Sequence, residues 1–119
     1  MKHVYMIAKV ENPVEGISNE YRFLVDTGAS YMVLRSVEFS ELKLKPIGTV
    51  KFTLADGKIM EAPIAPVKVH AMGREAMVFA ARMESPMPLF GAFTLEALGL
   101  AVDTSTGEVK PSRPAALLL

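Results

Sequence analysis

The stretch Phe23-Leu24-Val25-Asp26-Thr27-Gly28-Ala29-Ser30 decides how the rest of this 119-residue chain is read. An apolar run with strand character ends on a carboxylate, and a charge set beside a core is costly unless neighbouring groups hydrogen-bond it. Gly28 lets backbone approach that carboxylate with no Cβ in the way, so its N–H can donate to an Asp oxygen. Thr27 and Ser30 add hydroxyls nearby. The bland alternative is an Asp that merely caps a tight turn.

Outward from this stretch, short strand-like segments alternate with turn signals. Upstream, Val4, Met6, Ala8 and Val10 alternate with Tyr5, Ile7 and Lys9 before Asn12-Pro13, a first strand ended by a turn; Glu15-Gly16 and Ser18-Asn19 read as loop. Downstream, Tyr31 to Leu34 restarts an apolar run, and Ser36 to Leu44 keeps a helical spacing at Val37, Glu41 and Leu44. Thr49 to Leu54 and Lys58 to Ala62 flank Ala55-Asp56-Gly57, and an Asp-Gly pair between two strand-like runs is a hairpin signal. A second hairpin is expected over Gly73-Arg74, between the alternating Val67 to Ala71 and the run Ala76 to Ala81. Thr94, Leu95, Ala97 and Leu98 follow Gly91 as the clearest helix, stopped by Gly99. Leu100 to Asp103 and Glu108 to Lys110 close the pattern around a turn at Thr104 to Gly107. The sum is a mainly β chain with one short C-terminal helix.

Composition narrows the function classes. Half of the side chains are hydrophobic, enough for one core, and the length is too short for two ordinary domains, so residues 1–119 are expected to form one domain, with a tail fraying from about residue 111. Net charge is zero and the pI is about 6.7, which gives no basic face for nucleic acid or anionic membrane. Without cysteine there are no disulfides, thiolate nucleophiles or cysteine zinc sites. His3 and His70 stand far apart with no metal-ligand spacing, His70 being expected on the exposed face of its strand, and Ser30 has no neighbouring histidine to serve as base. No metal or cofactor is expected. The first residues lack a secretory h-region and no apolar run reaches the ~20 residues that span a bilayer, which points to a cytoplasmic protein. The eight methionines read as adaptable core packing.

Asp26-Thr27-Gly28-Ala29-Ser30, preceded by Leu24-Val25, resembles the catalytic signature of the pepsin-like and retroviral-type aspartic peptidases. Pro88-Leu89-Phe90-Gly91, entering a helix, resembles their second landmark, two apolar residues and a glycine packed behind the catalytic loop. Between them, Leu54-Ala55-Asp56-Gly57 occupies the position of the substrate-covering flap. The resemblance spans roughly residues 20 to 102. An Asp-(Thr or Ser)-Gly triplet alone arises by chance in about 5% of chains this long, so the ordered conjunction carries the weight.

The resemblance implies a closed antiparallel, barrel-like acid protease fold with a flap hairpin, and an endopeptidase in which two carboxylates share a proton about a water. This chain has one Asp-Thr-Gly; the lookalike Asp103-Thr104-Ser105-Thr106-Gly107 lacks the third-position glycine and reads as a turn. A homodimer with its two-fold axis at Asp26 would supply the second acid and act on a polypeptide substrate. The resemblance further assigns Thr27 a hydrogen bond across the dimer and Ser30 an orienting role at the outer Asp oxygen, where retroviral-type enzymes often carry an acid. The flap segment has a single glycine, Gly57, and no Tyr. The rival reading is a peptide-binding or dimerisation module on the same fold without hydrolysis, or a monomer awaiting another chain.

Overall fold

The computed structural model describes residues 3–114. Nine strands and two short helices run in the order β1 (Val4–Glu11), β2 (Ser18–Val25), β3 (Met32–Leu34), α1 (Ser36–Glu41), β4 (Gly48–Thr53), β5 (Ile59–Ala71), β6 (Arg74–Arg82), β7 (Leu89–Phe90), α2 (Ala92–Leu98), β8 (Leu100–Asp103) and β9 (Glu108–Pro111). Seven strands make one sheet in the order β1-β2-β7-β3-β6-β5-β4, and β1 also pairs with β5. That extra pairing, at Lys9↔His70, Val10↔Val69 and Glu11↔Lys68, closes six strands into a ring and leaves β4 outside it. Ring closure removes the open edges that the six strands would otherwise present, and a free edge remains on β4.

Alternation along the strands fills the ring. Ala8 and Val10 of β1 and Ala65, Val67, Val69 and Ala71 of β5 are buried, while their neighbours in sequence are less so. Phe23 and Phe90 stack at the centre, with ring centroids 4.5 Å apart and planes tilted by 51°. Each such fully buried ring is worth roughly 2–3 kcal/mol of apolar burial. Leu95 and Leu98 of α2, Phe39 of α1 and Leu42 at its C-cap belong to the same core.

Three local readings are corrected. Ser18 and Asn19 belong to β2, because Glu11 and Val10 of β1 offer them cross-strand partners while their own side chains stay exposed to water. The second hairpin turns at Met72-Gly73, one residue earlier than expected, and both carry positive φ (53° and 73°) as the two-residue turn between Ala71 and Arg74 requires. His70 is half-buried, its Nδ1 3.3 Å from Glu75 and its Nε2 3.5 Å from Glu11, because β1 docks beside it. The turn reading at Asp103 stands: its carboxylate accepts from the Ser105 N–H at 2.9 Å and hydroxyl at 2.6 Å, and these bonds, with Lys110 at 3.0 Å, hold it well below the usual carboxylate range.

The helix at residues 36–41 adds a second helix to the C-terminal one, and its start is built from an unusual cap. Arg35 precedes it, and buried Glu38 turns back to accept from the Arg35 backbone N–H at 2.8 Å and from the guanidinium Nη2 at 2.6 Å. One carboxylate thus satisfies an orphan backbone donor and pairs a cation. Arg35→Met would strand Glu38 as a buried, half-satisfied charge. The expected cost is about 2 kcal/mol, below that of a fully buried pair because Arg35 keeps part of its surface in water. Urea unfolding of the variant measures it, and an unchanged midpoint would refute the role given to this pair.

Candidate active site

β2 carries the chain into the Asp26 loop, and β7 runs parallel beside it, with Leu24 opposite Leu89 and Val25 opposite Phe90. The ladder continues into the loop itself: the Asp26 N–H donates to the Phe90 carbonyl at 2.9 Å. Asp26 is therefore fixed at its backbone by the landmark segment the sequence placed behind it. Its carboxylate Oδ1 accepts from the Gly28 N–H at 3.0 Å, and its carbonyl accepts from the Ala29 N–H at 3.1 Å. A Cβ on Gly28 would come within 3.2 Å of that same Oδ1, so glycine there gives the carboxylate room as well as a donor. Asp26 is half-buried, and Thr27, Gly28 and Ser30 are exposed.

The loop is locked from behind by α2. No side chain caps this helix; its first N–H groups donate to the loop instead, Ala92 to the Ala29 carbonyl at 2.7 Å and Phe93 to the Ser30 carbonyl at 2.9 Å. Such close backbone contact needs Gly91, because a Cβ there would lie 2.4 Å from the Tyr31 carbonyl oxygen and 2.6 Å from that of Ser30. Leu89, Phe90 and Gly91 thus set the position of the Asp26 loop through main-chain bonds and a missing methyl group.

Two concavities flank the loop. On one side His3, Val4, Leu24, Val25, Asp26, Thr27 and Val102 line a shallow groove of about 370 Å³. On the other, a cleft of about 530 Å³ runs between loop residues 28–31 and the flap strand β4. The hairpin tip forms where the Asp-Gly pair put it: Gly57 has φ 85°, the Leu54 N–H donates to the Lys58 carbonyl at 2.8 Å, and Asp56 Oδ1 accepts from the Lys58 N–H at 3.0 Å. Asp56 thus serves the turn. The tip itself does not line the cleft; Val50, Lys51, Phe52 and Thr53 of β4 do.

Among the described residues, no hydrogen bond uses the Thr27 hydroxyl or joins the Ser30 hydroxyl to Asp26. Ser30 acts within the chain through its carbonyl. The sequence reading missed the cleft wall, which adds Tyr31, Val33, Ala81, Met83 and Phe93 to the loop and β4 residues. Tyr31 and Val33 lie in the apolar run after the motif and Ala81 ends a second run, but that they share one wall follows only from pairings such as Val33↔Leu89 and Val33↔Ala81.

A carboxylate held by a glycine N–H on a strand-to-turn loop, locked by an apolar-apolar-glycine segment and faced by a hairpin, is the arrangement expected of the acid protease type. Residues 10–88, more than half of the chain, match the family model described as aspartyl protease, and the chain belongs to that family. It is a peptidase with the retroviral-type fold. The solved structure of EIAV protease complexed with the inhibitor HBY-793 matches it with a TM-score of 0.64 and 22% identity, over 82% of this chain and 89% of that one. No curated protein matches the chain in sequence. Among the described residues, no helix is long and apolar enough to cross a membrane.

Proposed function

We propose that the protein is an aspartic endopeptidase acting as a homodimer, with two copies of Asp26 meeting across a two-fold axis. One observation carries this reading: the Asp26 carboxylate sits half-exposed at the rim of a rigid loop, held on one oxygen by Gly28, with a shallow groove opening past it and Thr27. A single carboxylate cannot both take a proton from water and give one to a carbonyl oxygen at the same instant. Paired acids share one proton, because two like charges in contact do not both ionise, the behaviour by which aspartic protease dyads are generally known. The ionised member takes a proton from water, which attacks the scissile carbonyl carbon; the protonated member hydrogen-bonds the carbonyl oxygen as charge gathers there. Collapse of the tetrahedral species breaks the C–N bond as the leaving nitrogen is protonated.

The remaining assignments rest on the resemblance. Thr27, exposed beside Asp26, is assigned a bond across the axis beneath the pair. Ser30, which borders the cleft, is assigned the orienting of the outer Asp oxygen. The hairpin Leu54 to Gly57 with β4 forms the cover, and an extended polypeptide lies between β4 and the loop, where strand-like backbone bonds can form on both sides. Residues 1–119 serve as one domain.

Mixing tests the shared site directly. If Asp26→Asn protomers exchange with wild-type ones, every mixed dimer lacks one acid, so activity per wild-type chain falls to about half at equal amounts and about a quarter at threefold excess. Activity unaffected by the inert chain, after exchange shown by a labelled subunit, would rule out a site built from two protomers.

A further inference from the structure

Apart from the Asp26 loop, the turn between β1 and β2 faces the segment between α1 and β4 across a groove of about 200 Å³, with Pro13, Val14, Leu44, Ile47 and Pro66 as its apolar lining. Val14 is 88% and Ile47 66% exposed, so two aliphatic side chains stand mostly in water. The groove is preformed. Buried Asn12 donates to the Leu42 and Lys43 carbonyls at 3.0 and 3.1 Å and accepts from the Val14 and Glu15 N–H groups at 2.9 and 3.2 Å, which ties both walls to one fully satisfied side chain. A wider cleft of about 520 Å³ along α1 adjoins it, and the two share Glu15, Lys43, Leu44 and Lys45. Arg82 enters this cleft from the end of β6. Among the described residues, no ion pair uses Lys43, Lys45 or Arg82; the Arg82 guanidinium lies instead 5.7 Å over the Phe39 ring. The carboxylates of α1 and its surroundings are engaged elsewhere: Glu38 by Arg35, Glu84 by the Ser36 N–H and hydroxyl, Glu41 by the Tyr21 hydroxyl. That leaves Glu15 as the one carboxylate of the lining against three cations, a local positive excess on a chain of zero net charge. Lys43 also holds φ 53° just past the end of α1, where glycine is the easier residue, so this cation is presented at a backbone cost.

We propose that this surface docks an acidic segment of a polypeptide, its carboxylates meeting Lys43, Lys45 and Arg82 while an apolar side chain enters the groove lined by Val14 and Ile47. Charge complementarity selects the acid, and the apolar groove beside the cations selects a polypeptide over a simple anion, to which it offers nothing. A nucleic acid would find no free ring on which to stack a base, since Phe39, the one aromatic residue of the lining, is buried. A bilayer is flat, whereas these cations line a concavity, and Glu15 would face its anionic headgroups. In a peptide, the same Glu15 bars an acid from the position nearest to it. Neither concavity shares a residue with the groove at Asp26 or with the cleft beside β4, so a segment docked here is a recognition element separate from any peptide bond being cut.

The experiment uses the full chain and fluorescence anisotropy with a short labelled peptide of glutamates around paired leucines, its integrity checked by mass after each titration. Wild-type protein is expected to bind it about tenfold more tightly than matched peptides carrying glutamine for glutamate or serine for leucine, and added salt should weaken the binding. Lys45→Glu and Ile47→Ser, both at exposed side chains, should each weaken it about fivefold with unaltered melting temperature. Asp26→Asn should leave the affinity as it is, which keeps this result independent of whether the protein cuts peptides by the proposed route. No measurable binding, equal binding of the glutamine peptide, or an affinity unmoved in both Lys45→Glu and Ile47→Ser overturns the docking surface. Vesicles containing phosphatidylserine that capture the protein while the peptide does not bind would give the surface to a membrane and overturn the proposal as well.

Discussion

Asp26→Asn is expected to lower kcat/KM for peptide hydrolysis by about 10⁴-fold or more while the oligomeric state in sedimentation stays unchanged. The substitution is nearly isosteric, and Asn Oδ1 can still accept from the Gly28 N–H at the 3.0 Å spacing. The loop is also held through backbone bonds that do not involve the side chain: Asp26 N–H to Phe90, Ala92 to Ala29 and Phe93 to Ser30. Structure and assembly should therefore survive. What an amide cannot do is accept a proton from water or share one with a partner acid, so the chemical step loses its general base. In the proposed dyad the shared proton should make wild-type activity fall on both sides of an optimum, since full protonation removes the base and full ionisation removes the acid. Turnover retained in purified variant would sink the assignment, and a variant that dissociates would show that Asp26 holds the assembly together.

The parts of this site written in neighbouring residues were legible; those written in distant ones were not. Asp26, Gly28 and the Asp56-Gly57 turn announce themselves because a carboxylate after an apolar strand and an Asp-Gly between strands each need one local geometry. The link from Asp26 to Leu89-Phe90-Gly91 was readable only by resemblance, since the partners lie far apart in sequence and no local rule joins them. Propensity misled where tertiary pairing decides. Ser18 and Asn19 look like loop residues, but Glu11 and Val10 pair with them. His70 looks solvent-facing in a lone hairpin; only the closure of β1 onto β5 sets it between two carboxylates. Met72 was passed over as a turn residue because a non-glycine side chain is rare at φ 53°, and the pairing of Ala71 with Arg74 forces it there.

Gly91→Ala should destabilise the fold by about 3 kcal/mol and lower the melting temperature by roughly 10–15 °C, a large effect for one methyl group. Backbone conformation is not the reason: Gly91 has φ −90° and ψ 177°, open to any residue. The obstacle is contact, since the new Cβ would fall 2.4 Å from the Tyr31 carbonyl oxygen and 2.7 Å from the Ser30 carbonyl carbon, and neither is the movable end of a side chain. Relief requires α2 to withdraw from the Asp26 loop, which breaks the bonds from Ala92 and Phe93 and strands the first N–H groups of the helix. Alanine is also a poorer residue than glycine at a helix N-cap, which adds to the cost. Gly28→Ala provides the contrast. Its Cβ meets only the Asp26 Oδ1, at 3.2 Å, and that oxygen can swing aside, so stability should change by less than about 1 kcal/mol while hydrolysis drops because the carboxylate has moved. Thermal melts of the two variants separate these roles: Gly91→Ala melting with the wild type would mean that the loop and helix are not locked by close backbone approach, and the positioning of Asp26 would need another cause.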